Sequence, residues 1–220
     1  MAERGKFIVI EGTDGSGKTA QFERLVLALP EGTKLGTLDF PRYQETASYF
    51  VQKYLGGRYG ADVGPEAASI FYAVDRFDAK LKTLQWLEEE KRLVIANRYV
   101  ASSMAYQGAK ILDNAARIKF YEWLHNLEYD ILGLPKPDLN ILLHVPAEVA
   151  HELIEKRGEK RDLHEIDFEL QKRAERAYME IAELFPDEYY VIECAPEGVM
   201  LPPEEIHKQV WAAAEKLIRR

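Results

Sequence analysis

Along this chain, short apolar runs alternate with longer stretches in which apolar residues recur every three or four positions. The runs Phe7 to Ile10, Lys34 to Leu38, Leu93 to Ala96, Leu139 to Val145 and Tyr189 to Cys194 read as strands. Between them, Thr19 to Leu29 carries Phe22, Leu25, Val26 and Leu29 at helical spacing and stops at Pro30, which has no N–H to continue a helix. A long helical pattern covers Ala67 to Leu87. Asn114 to Leu127 sets Ile118, Tyr121, Leu124 and Leu127 on one face, and Phe168 to Phe185 does the same with Phe168, Ala174, Tyr178, Ile181 and Phe185. Strands alternating with helices predict βα units: an α/β fold with a five-stranded parallel sheet and helices on both faces. At 220 residues and 47% apolar, the chain is long enough for one such core, so a single domain over residues 1–220 is expected.

The first strand runs directly into Gly12-Thr13-Asp14-Gly15-Ser16-Gly17-Lys18-Thr19, which fits G-x-x-x-x-G-K-[ST] in the strand–loop–helix setting that a phosphate-binding loop requires. Its glycines let the backbone curl so that successive N–H groups point at phosphate oxygens. Lys18 supplies a point charge to the β and γ phosphates, and Thr19 offers a hydroxyl to Mg²⁺. The loop predicts a nucleoside triphosphate ligand and the three-layer sandwich of P-loop NTPases.

Composition narrows the partners. A formal net charge of −8 leaves no broad positive field for nucleic acid or an anionic membrane, so an anionic ligand must be met by clustered Arg and Lys. Apolar runs such as Ile141-Leu142-Leu143 are far too short to span a bilayer. With Cys194 as the only cysteine and no apolar segment near Met1, the expected compartment is the reducing cytoplasm.

Other residues must separate a kinase from a GTPase, a motor or a passive binder. The N-K-x-D string of guanine recognition is absent. Three basic clusters accompany aromatic residues instead: Phe40-Pro41-Arg42, Asp75-Arg76 and Asn97-Arg98-Tyr99. Guanidinium groups clamp phosphate in a forked geometry and rings stack on bases, so these clusters suit a second nucleotide. A further basic run, Lys156 to Asp162, connects two helical patterns. It reads either as a solvated charge run or as a lid over about 156–165, with Gly158 absorbing the backbone change. The phosphate loop upstream favours the lid.

In order and spacing, these strings resemble the thymidylate kinase family almost end to end: the loop with Asp14, then F-P-R, F-Y-A-V-D-R, N-R-Y-V-A-S-S-M-A-Y-Q-G, L-P-K-P-D-L and the Arg-rich lid. The resemblance implies transfer of phosphate from ATP·Mg²⁺ to dTMP in a commonly homodimeric enzyme. By position it makes Asp14 the carboxylate near the acceptor 3′-hydroxyl, Arg42 the receiver of the acceptor phosphate, and Arg76 the thymine-bonding residue. Tyr72 stacks on the base, or Phe71 if the helix register differs by one. Arg98 reaches toward the transferred phosphoryl group, and Ser102, Ser103, Tyr106 and Gln107 lie where the family reads thymine and crowds the sugar 2′ position. On residue type alone, Ser102 and Ser103 also read as caps of a helix beginning there. The catalytic set implied is Lys18, Arg98, Arg157 and Arg161, with Lys160 a further lid cation. Gly15 stands where some members carry a catalytic Arg, which implies the lid-arginine subtype. One departure stands out: Asn97 replaces the usual Asp that helps hold Mg²⁺ waters and orient the acceptor phosphate. Asn keeps a carbonyl acceptor but loses the charge, so Mg²⁺ would rely more on Thr19, phosphate oxygens and water.

Overall fold

The computed structural model describes residues 4–60, 62–157 and 167–219. Its strands are β1 Lys6–Gly12, β2 Leu35–Asp39, β3 Leu93–Asn97, β4 Leu139–His144 and β5 Tyr189–Glu193. They form one five-stranded sheet in the order β2-β3-β1-β4-β5, with every neighbouring pair parallel. The helices among the described residues are α1 Lys18–Leu27, α2 Tyr49–Leu55, α3 Pro65–Glu88, α4 Val100–Gly108, α5 Asn114–His125, α6 Ala147–Arg157, α7 Phe168–Leu184 and α8 Pro203–Ile218.

The alternation of side chains along a strand builds the three layers. Phe7 and Val9 of β1 face one core together with α4, α5 and α7, which contribute Met104, Tyr121, Leu124 and Ile181. Ile8 and Ile10 face the other, where α1 brings Leu25 and α8 brings Ile206 and Val210. All four β1 residues are fully buried because the strand is central and covered on both faces. A parallel sheet collects its strand C-termini along one edge. Here those ends are Gly12, Asp39, Asn97 and His144, so the loops that leave them share one crevice.

Local chemistry sets several boundaries. Pro65 opens α3, where a missing N–H costs nothing. Asp113 and Asp167 cap α5 and α7, accepting from Ala116 N at 2.8 Å and Leu170 N at 2.9 Å. β1 extends past Ile10 because Glu11 and Gly12 still pair with Leu142 and Leu143. Val145 and Cys194 fall just outside β4 and β5. Gly56 to Gly60 close α2 in a turn, and the Tyr59 ring lies 5.4 Å from Phe71. One expectation is corrected. Ser102 and Ser103 are not caps: α4 begins at Val100 after Tyr99, so both serines lie inside the helix with their hydroxyls bonded elsewhere. Among the described residues, no helix is long and apolar enough to cross a membrane.

Candidate active site

The crevice at the strand ends opens into a cavity of about 780 Å³ between the Gly12–Thr19 loop, α3, α4 and the segment around Met200. The loop needs glycine where its backbone turns over. Gly12 sits at φ 152, and a Cβ there would come within 2.9 Å of Leu143 O and closer still to Ser16 Oγ. Gly15 sits at φ 81, and a Cβ would run into the carbonyl of Ala150 on α6. Gly17 then turns the chain into α1, whose first residue is Lys18. Lys18 is buried; its Nζ donates to Thr13 O at 3.1 Å and pairs with Asp14 at 3.3 Å. Burial, and next the charge of Arg98, lower its ammonium to about 8.

Asp14 joins the phosphate loop to the opposite wall. Its carboxylate pairs with Lys18 and with Arg98 Nη2 and accepts from Tyr106 Oη at 2.6 Å, while its own N–H donates back to Tyr106 Oη at 2.8 Å. Arg98 holds a left-handed backbone, φ 64, that a non-glycine residue keeps only under constraint. Its N–H donates to Ile10 O at 2.9 Å, and its Nη1 donates to Ser102 Oγ at 3.1 Å. Beneath it lies a carboxylate that sequence reading missed. Glu11 is fully buried and accepts from Tyr99 N at 2.7 Å, Ser102 Oγ at 2.7 Å and Tyr178 Oη at 3.0 Å. Ser102 is thus chiefly a bridge from Glu11 to Arg98.

On α3, Tyr72 and Arg76 line the cavity one helical turn apart, whereas Phe71 points away and stacks on Phe50 at 5.7 Å. Of the two stacking registers, only Tyr72 faces the cavity. Arg76 is clamped by Glu128, Nε to Oε2 at 2.6 Å and Nη2 to Oε1 at 2.5 Å, and Nη2 also donates to Ser103 Oγ at 2.9 Å. Glu128, also missed, lies on the π-helical turn Asn126–Ile131 that follows α5. Burial alone would lower the Arg76 pKa, but the charge and hydrogen bonds of Glu128, with smaller help from Tyr99 and Asp75, together outweigh it and hold the group above its ordinary value. Gln107 lines the wall with its Nε2 buried and unpartnered by any described residue. Phe40 and Pro41 line the floor, but Arg42 does not. Its guanidinium turns to α3, with Nε on Asp75 at 2.9 Å and Nη2 on Asp78 at 2.7 Å, because those carboxylates answer its charge.

Thr19 and Asn97 meet at the end of the loop. Asn97 Nδ2 lies 3.4 Å from Thr19 Oγ1 and donates to Asp39 Oδ1 at 2.9 Å, and Asn97 Oδ1 is buried without a partner among the described residues. Partial desolvation raises the Asp39 carboxyl above its ordinary value, and the Asn97 hydrogen bond partly offsets this. Oxygen donors of this kind fit a hard cation such as Mg²⁺, which keeps several waters and binds largely through them and phosphate. Of the lid cations, Arg157 ends α6 without a described side chain, and Lys160 and Arg161, with most of the expected 156–165 lid, lie outside the described residues.

A sequence model of the thymidylate kinase family matches residues 10–209. The chain belongs to the thymidylate kinase family. Among curated relatives, the thymidylate kinase of Mycobacterium tuberculosis is 41% identical over 184 residues, covering 80% of this chain and 85% of its own. The probable thymidylate kinase of Pyrococcus horikoshii is 31% identical over 221 residues, 95% of each chain. A solved structure of thymidylate kinase from Candida albicans superimposes with a TM-score of 0.76, covering 97% of this chain and 92% of that one. At 22% identity it speaks for the fold, the P-loop NTPase sandwich. The polar residues around the cavity that sequence reading missed are Glu11, Asp39, Glu128 and Tyr178. An acidic residue inside an apolar strand, as in Ile10-Glu11, is the one local signal that could have flagged any of them.

Proposed function

We infer that this thymidylate kinase transfers the γ-phosphoryl group of ATP to dTMP, giving dTDP. What carries the reading is the meeting of two different grips in one cavity: a phosphate loop on one flank, and Tyr72, Arg76 and Arg98 on the other. Lys18 and the loop amides of Gly12 to Thr19 cradle the ATP phosphates. Arg98 and the lid arginines neutralise charge on the moving group, and Asp14, steadied by Tyr106, accepts from the acceptor sugar hydroxyl. Arg76 meets the base edge with Ser103 and Gln107 beside it while Tyr72 covers the ring face. Phosphoryl transfer is in line and needs no protein nucleophile, so the chain positions and neutralises. The Thr19 hydroxyl would hold Mg²⁺ arriving with ATP, and the metal would supply positive charge that offsets the phosphates. Arg42 serves the acceptor phosphate by giving up Asp78, which is 56% exposed and so a weak partner, while keeping the buried Asp75.

The chain works as one domain with its lid at about 156–165, and in the cytoplasm, where Cys194 stays a buried thiol. It pairs as a homodimer through α3, where Ile70, Val74, Phe77 and Leu81 form an exposed apolar stripe at helical spacing. Light scattering coupled to size exclusion tests the pairing; a monomer at tens of micromolar would refute it. For the activity, ADP release is measured with dTMP, dUMP, dGMP, AMP or thymidine as acceptor. Turnover led by dTMP is expected. Preference for another acceptor, or binding of both nucleotides without dTDP, would overturn it.

A further inference from the structure

Asn97 stands where the family resemblance implies an Asp, and the structure places a carboxylate, Asp39, beside it. Asp39 ends β2 and Asn97 ends β3 in the same register, so their side chains project to the same side of the sheet. Both line the cavity beside Thr19. The Asn97 amide spends its N–H on Asp39 at 2.9 Å, while its carbonyl oxygen, in a side chain only 5% exposed, has no donor among the described residues. A buried acceptor left without a donor is costly, so this one is best explained by a donor that arrives with the ligand.

We propose that Asp39 supplies the carboxylate that residue 97 lacks, and that Asp39 and Asn97 act as one unit on the water shell of the Mg²⁺ that accompanies ATP. The proposal rests on the nucleotide site described above. Asn97 Nδ2 orients Asp39, and the remaining oxygens of both side chains accept from metal-bound water. Two carboxylates in these places would stand within hydrogen-bond distance, where like charges cannot both ionise. An amide at position 97 turns that repulsion into a hydrogen bond. A water-mediated contact also tolerates moving the carboxylate to the neighbouring strand, roughly 4.8 Å away, which a direct ligand would not. Asp39 is a positioning residue here, acting through water.

The test uses the whole chain, a non-hydrolysable ATP analogue and Mn²⁺, with free Mn²⁺ read by electron paramagnetic resonance. Variants are Asp39→Asn, Asn97→Asp and the swap Asp39→Asn/Asn97→Asp. For Asp39→Asn, Mn²⁺ binding to the protein–analogue complex should weaken about tenfold, with affinity for the metal-free analogue within twofold of the parent. The swap should return Mn²⁺ affinity to within threefold, and Asn97→Asp alone should not tighten it. Unchanged Mn²⁺ affinity in Asp39→Asn overturns the proposal, as does equal loss of metal and metal-free analogue binding, the mark of a merely structural role. If Asp39→Asn does not fold, the swap decides: recovery supports the pair, and a tenfold loss refutes it. ADP release by the parent with dTMP is measured in parallel, so a wrong acceptor assignment is seen separately from a wrong metal assignment.

Discussion

Arg76 is 2% exposed, and Glu128, its only carboxylate partner among the described residues, is fully buried. Removing one member of a buried pair strands the other charge at a cost of about 3 kcal/mol, so Glu128→Gln should lower the urea unfolding free energy by about that much. It should also raise KM for dTMP more than it lowers kcat, because Arg76 loses the clamp that aims it; a dTMP titration checks this. Gly15 supports a second expectation. Gly15→Arg, which would imitate the other family subtype, meets both a positive φ and the Ala150 carbonyl. It should cost about 2 kcal/mol or more in urea unfolding and weaken ATP-analogue binding rather than add a catalytic cation. At this scale, what could be read in sequence was contiguous. Lys18 and Thr19 announce themselves because eight consecutive residues carry the whole signal. Glu128 does not, since it is 52 residues from the arginine it serves and nothing local marks it.

Among the elements, β4, β5 and α7 are tied at one point. His144 ends β4, meeting Glu175 of α7 at 3.0 Å and Glu193 of β5 at 2.5 Å, and Glu175 also accepts from Ala147 N at 2.8 Å at the start of α6. The Glu175 hydrogen bond, helped by Glu193 and opposed by burial, lifts the imidazole from 6.5 to about 9. A raised folded-state pKa means the tie stabilises fully below about pH 6.5 and fades as pH rises through about 9. Allowing for solvent screening, the loss is on the order of 1 kcal/mol, or about 2–4 °C in Tm. Thermal melts of the parent between pH 6.5 and 9 should show that fall, and His144→Asn should flatten it. Most elements were legible because burial on both faces demands unbroken apolar strands, and one-faced burial demands helical spacing. α4 was not read as starting at Val100, since it is buried almost all round and mixes small with polar residues, leaving no periodic stripe.

For the whole molecule, the cavity faces the end of α6, where the basic run begins. A lid cation that reaches the moving phosphoryl group acts on the transition state and not on dTMP binding. Arg157→Ala or Arg161→Ala should therefore reduce kcat by roughly tenfold or more while KM for dTMP stays within about threefold. Steady-state kinetics check this, and failure of both variants to slow turnover would move catalysis elsewhere. By itself the sequence determined the sheet, the phosphate loop and the family, because hydrophobic period and contiguous motifs are local properties of the chain. Only the tertiary structure decided which side chains meet: Glu128 for the buried Arg76, Asp75 and Asp78 for Arg42, Asp39 beside Asn97. Such pairings depend on which strand and helix ends the parallel sheet brings to one edge, and distance along the chain carries no record of that.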